Sequence, residues 1–215
     1  SRLGTTGSVV IISKDSAIAS GDLILGSGKT LDGPSGAILL STGASAGNAA
    51  GSIAVSVGAN ENSKEDGGSV SVSAGKSNRG NGGDISMESG VYVLGTSGSL
   101  DIMSGNSSFA NAGPIRMQGG AGGVGGLGAD ISIKAGNGEA GGGSLFMVSG
   151  ASNLTNSGDI SMHTRGSIFG SSGHVNITTG LTSLLPSGSV SIATGASIKA
   201  DGRTGNITIS TPARQ

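Results

Sequence analysis

With 215 residues, 12 basic and 13 acidic side chains scattered singly, and a formal net charge of −1, the chain has no basic stripe for a polyanion. Three Phe, one Tyr and no Trp leave almost nothing to stack on bases, so nucleic acid is excluded as an expected partner. The absence of cysteine removes disulfides, thiolate chemistry and Cys-based metal sites, and no apolar run exceeds four residues (Val9-Val10-Ile11-Ile12), far short of a bilayer span.

Gly accounts for 44 residues, about three times its ordinary share. Such a composition suits a low-complexity polymer. The placement of the apolar residues argues otherwise. In chain order, units begin at Gly7, Gly21, Gly36, Gly51, Gly68, Gly83, Gly98, Gly113, Ala129, Gly143, Gly158, Gly173, Gly188 and Gly205, most of them 15 residues apart and the rest 14, 16 or 17. Counting each start as position one, the third position is Val9, Leu23, Ile38, Ile53, Val70, Ile85, Leu100, Ile115, Ile131, Leu145, Ile160, Val175, Val190 and Ile207. The fifth is Ile11, Leu25, Leu40, Val55, Val72, Met87, Ile102, Met117, Ile133, Met147, Met162, Ile177, Ile192 and Ile209. All twenty-eight are aliphatic or Met, and a sequence without structural constraint has no reason to keep that spacing.

Inside a unit the alternation has period two, as in Gly68-Ser-Val-Ser-Val-Ser-Ala-Gly75. Val70, Val72 and Ala74 then share one face, with Ser69, Ser71 and Ser73 on the other. The seventh position is usually small (Ala74, Ser89, Ser104, Ala135, Thr179, Thr194) and the eighth is usually Gly (Gly43, Gly58, Gly75, Gly90, Gly105, Gly150, Gly180, Gly195). Glycines at both ends of a short strand read as corners, and their frequency penalises any helix.

One strand cannot bury its own face, whereas stacked units can. The pattern therefore predicts an all-β fold, a β-solenoid of about fourteen 15-residue repeats in one domain spanning 1–215. Its rungs would lie roughly 4.8 Å apart and form a rod of about 65 Å. One coil per repeat is favoured, because it sets Asp101 beside Arg116 and Asp159 beside His174. Two repeats per coil is the alternative; it sets Asp130 beside Asp159. Apolar residues in the return segments (Ile18, Leu31, Leu94, Phe109, Val124, Leu154, Phe169, Leu184, Ile198) could close a thin second face of the core. The charged stretch Glu61–Asp66 reads as a solvated loop.

The outward positions Val10, Ile12, Ile24 and Leu39 are apolar where later units carry mainly Ser, Asp, Lys or Thr, which marks a candidate assembly interface. The last segment, with outward Asn206, Thr208 and Ser210, meets no capping helix and offers a second candidate contact, so end-to-end or lateral association with itself or with other repeat chains is expected. Since the chain begins at Ser1 with neither Met nor a leader, it is expected to be a processed or excised segment.

Catalytic and metal constellations find little support. Gly125-Gly-Leu-Gly-Ala-Asp130 is similar to the opening of calcium-binding repeats, but Ser132 stands where those carry an aliphatic residue, so Asp130, like Asp84 and Asp159, reads as an outward residue after a turn. His163 and His174 lie among Ser and Thr with no orienting carboxylate indicated, and no enzyme or cofactor is expected. Sequons at Asn106, Asn153, Asn176 and Asn206 are compatible with N-glycosylation.

Units such as Gly67-Gly-Ser-Val-Ser-Val-Ser-Ala-Gly75 and Gly188-Ser-Val-Ser-Ile-Ala-Thr-Gly195 resemble the Gly/Ser-rich repeat arrays of secreted proteins in diatoms and related algae. That resemblance, which extends over the whole chain, implies an extracellular or cell-surface location and a non-catalytic structural or adhesive role in a fibre, filament or cell covering, with glycans or mineral as further contacts. The alternative is a solenoid that binds ice or polysaccharide. Its ordered face would need one repeated short side chain, and the fourth-position column is interrupted by Asp101, Arg116 and Phe146.

Overall fold

The structure, a computed structural model, describes residues 6–60, 65–198 and 202–211. Among them there is no helix and no strand. This corrects the expected all-β solenoid: among the described residues no sheet forms, so neither one nor two repeats make a coil, and no residue is buried. The accessible surface is 22544 Å². A folded chain of this mass exposes about 8,800 Å² and a fully unfolded one about 29,600 Å², so the molecule lies much nearer the second figure.

The physical reason lies in the composition. Each unit brings two large apolar side chains to some fifteen residues of backbone, much of it Gly, the residue that loses most conformational freedom on ordering. Within a single chain that apolar surface does not offset the ordering of a stacked coil. What remains is local. The chain divides into two units, Ser1–Met103 and Ser104–Gln215, and each repeats the same alternation of an extended segment and a closed loop.

The loops recur with the period read from the sequence. Bends fall at positions eleven to thirteen after a start in most units, for instance 46–48, 78–80, 93–95, 108–110, 153–155, 168–170 and 183–185. In five units a single backbone bond closes the loop, from the N–H that opens the next segment to the carbonyl of the eighth residue. The pairs are Gly83 to Gly75 (3.0 Å), Gly98 to Gly90 (3.0 Å), Ala129 to Gly120 (2.9 Å), Gly143 to Gly136 (2.9 Å) and Gly158 to Gly150 (2.9 Å). Ala129 opens a segment after a 16-residue spacing and Gly143 after a 14-residue one, yet both make the same bond. The loop absorbs the extra or missing residue, and the extended segments keep their phase.

The corner role expected of the terminal glycines needs a similar correction. Among the described residues only Gly33 (φ 108°) and Gly125 (φ 74°) adopt the left-handed region, and neither opens or closes an extended segment. At most closures the glycine instead permits a close approach, although Ala129 makes the same bond with a Cβ in place. A Cβ on Gly83 would lie 3.3 Å from Gly75 N and 3.5 Å from Ala74 Cβ, leaving no room for a larger side chain. Where the seventh residue is Thr, its methyl takes up this contact, as at Thr42 against Gly51 and Thr164 against Gly173. Thr164 Oγ1 also donates to the Gly173 carbonyl at 3.3 Å.

A hydroxyl fixes the loop from inside. Ser16, Ser45, Ser77, Ser107, Ser152 and Ser167 all stand at the tenth position, and each accepts from the backbone N–H three residues on, at 2.9 to 3.4 Å. Short polar side chains favour turns through this bond, which competes with regular secondary structure. Thr182, at the same position, donates to the Leu185 carbonyl.

Candidate functional surface

With no buried core among the described residues, the molecule's apolar chemistry lies on its surface in two periodic sets. The first is the pair of aliphatic columns. Third-position side chains are about half exposed in most units (Ile85 52%, Ile131 55%), and fifth-position ones more so (Met87 70%, Ile192 68%). Fourth- and sixth-position apolar residues are freer still (Leu39 86%, Met103 84%), so the period-two alternation survives locally even without a sheet. In no unit does another part of the chain cover the columns fully.

The second set is at the loop tips. Ile18, Leu94, Phe109, Val124, Leu154, Phe169 and Leu184 stand at the twelfth position, in most of these units just past the tenth-position hydroxyl, and all are fully or almost fully exposed. Their expected part in a second core face is corrected by that exposure, as is the part expected of Leu31 and Ile198. The tips carry one or two apolar side chains, and the loops bearing Leu94, Val124 and Leu154 are closed by a backbone bond.

Val10, Ile12, Ile24 and Leu39 are exposed, as are other apolar residues along the chain, so exposure does not single out the first units. Asn206, Thr208 and Ser210 lie exposed on an extended segment beside Ile207 and Ile209. The sequon residues Asn106, Asn153, Asn176 and Asn206 are also exposed, Asn153 within the bend fixed by Ser152. Of the Glu61–Asp66 loop, residues 61–64 lie outside the described residues.

No sheet forms among the described residues, so the stacking that would set Asp101 beside Arg116 does not arise; the Asp101 carboxylate accepts from Ser99 Oγ of its own segment at 3.2 Å. His163 Nδ1 lies 3.4 Å from Ser161 Oγ, a contact within one segment. Asp130 follows a turn in which Gly126 N–H donates to Gly123 carbonyl at 3.0 Å, and among the described residues no three His, Asp or Glu side chains gather as a metal site would require. No cleft forms among them either, and no helix is long and apolar enough to cross a membrane.

The tenth-position hydroxyl is the feature that a hydrophobic reading of the sequence misses. Its signal is present: Ser16, Thr30, Ser45, Ser77, Ser107, Ser152, Ser167, Thr182 and Ser197 recur at one offset from the starts. In a chain so rich in Ser and Thr, that column is hidden by its background. No family model, curated protein or solved structure matches the chain.

Proposed function

We propose that the chain is a non-catalytic structural or adhesive repeat module of an extracellular fibre, filament or cell covering. One observation carries the reading: twenty-eight aliphatic or Met side chains recur at two fixed offsets over the whole length, and among the described residues none is buried. Apolar surface repeated at fixed positions of every unit and left open suits repeated contact with something outside the chain. The Ser- and Thr-rich remainder keeps such a surface hydrated between contacts. The likeness to secreted Gly/Ser-rich arrays supports the extracellular placement.

The test is to deposit the purified chain on apolar and on hydroxylated surfaces, and in parallel to follow it by negative-stain microscopy as concentration is raised. Fibres, films or a rinse-resistant coat are expected. A chain that stays dispersed and uncoated up to its solubility limit would sink the proposal, and so would thermal hysteresis at micromolar protein, which belongs to an ice binder.

A further inference from the structure

We infer that the aliphatic columns lie side by side with the same columns of a second copy of this chain, paired edge to edge, parallel and in register, unit against the same unit. This rests on the reading of the chain as a structural module and adds the partner and its alignment.

The spacing of the units is uneven in a way that is not self-similar. In order, the starts are 14, 15, 15, 17, 15, 15, 15, 16, 14, 15, 15, 15 and 17 residues apart. The closing bonds at Ala129 and Gly143 show two of these differences, one 16- and one 14-residue spacing, taken up in the loops while the adjoining segments keep their phase. Loop lengths therefore act as a bar code. A parallel copy in register sets every loop against one of its own length. A copy displaced by one unit compares each spacing with the next, and of those twelve comparisons seven are unequal. Each unequal pair bulges one loop and pulls its columns out of line. A single-residue slip is worse, because it would turn the columns to the opposite face.

Chemistry points to the same partner. The columns take an aliphatic surface of matching pitch, and another copy has that pitch by construction. Among the described residues the extended segments of the first copy form no backbone ladder within their own chain, which leaves most of their N–H and C=O groups open to a neighbour. The tips also pair like with like, Phe109 against Phe109 and Phe169 against Phe169, a favourable aromatic contact. One term opposes: every charged side chain, among them Asp22, Asp84, Asp101, Arg116, Asp130, Lys134 and Asp159, faces its own copy. These charges are single and exposed, so added salt screens them and strengthens the association.

The absence of cysteine makes the test direct. Ser71 and Ser86 are exposed fourth-position residues one 15-residue unit apart, and Ser191 holds the same place near the other end. Neighbouring extended chains lie about 4.8 Å apart, within disulfide reach, whereas a unit's displacement along the chain is not. The full chain is prepared as Ser71→Cys, Ser86→Cys and Ser191→Cys, one of each mixed pair carrying ¹⁵N, then oxidised under assembling conditions and read by intact mass. Each variant alone should give a covalent dimer. In the Ser71→Cys plus Ser86→Cys mixture, dimers joining the two different positions should be at least tenfold rarer than dimers joining identical ones. Equal yields of the two would overturn the alignment, and predominance of the mixed dimers would replace it with a shifted one. Chains that coat surfaces or form fibres but give no dimer at any of the three positions would overturn this inference and leave the structural role standing. If no assembly or coat forms either, both readings fall.

Discussion

Calorimetry of the dilute, unassembled chain should show no cooperative unfolding endotherm. A folded domain of 215 residues would absorb about 150 kcal/mol near 60 °C, with a heat-capacity step of about 3 kcal/mol/K. Both quantities arise from surface that unfolding exposes, and here 22544 Å² is already exposed, with no residue buried among those described. The closing bonds and hydroxyl-fixed bends contribute locally, about 1 kcal/mol or less each, and they fray independently because no core couples them. Heating the dilute chain should therefore give a gradual, sloping change in far-ultraviolet dichroism. An endotherm reaching even half of the folded-domain value would show a packed interior and contradict a core-free chain.

The second large effect concerns a charge placed in a column. Ile85→Asp and Ile131→Asp should leave the dilute chain unchanged in hydrodynamic radius and dichroism, because both side chains are about half exposed and support no core. In a globular protein the same change at a core position would unfold the chain. In the assembly each new carboxylate faces its own copy and loses water, which costs about 3 kcal/mol or more. The concentration needed for association should then rise about 100-fold or more. Comparable changes at the outward Ser86 and Ser132 should move it far less. If Ile85→Asp altered the dilute chain and left assembly untouched, the columns would be an internal element and not a contact surface.

Much of the local architecture can be read from the residues. The alternation in Gly68–Gly75 gives an extended segment with Val70 and Val72 less exposed than an outward apolar residue such as Leu39. The spacing of starts places the bends, and Ser107 or Ser152 at the tenth position marks where each is fixed. What cannot be read is what lies against the columns. Period-two patterning states which side chains share a face; it does not state whether that face meets the next unit of the same chain or a different molecule. A solenoid needs Val70 to stack on Ile85 within one chain, and the Gly-rich backbone between them makes that ordering too costly. The glycines mislead in another way. Gly83 and Gly75 suggest residues with unusual backbone angles, whereas Gly83 serves a close approach to the backbone at Gly75 and a Cβ on Gly75 itself would meet nothing, a difference that composition and spacing do not express.

The candidate surface is legible in part. Its apolar positions are all visible in the sequence, but the loop-tip residues Phe109 and Phe169 suggest an interior that the chain does not form. The emphasis on Val10, Ile12, Ile24 and Leu39 comes from contrast with more polar later units, a contrast that matters only where the opposite face is buried.

Methionine oxidation tests the open columns most directly. Met87, Met117, Met147 and Met162 stand in the fifth-position column, and Met103 stands at an outward sixth position. All five are exposed, and oxidation by peroxide follows the exposure of the thioether. In the dilute chain, peptide mass spectrometry should find all five oxidised at similar rates, close to that of free methionine. After assembly the four column methionines should slow together while Met103 continues to react quickly. If the four were instead already about tenfold slower than Met103 in the dilute chain, the columns would be covered from within the molecule, which contradicts an open surface awaiting a second copy.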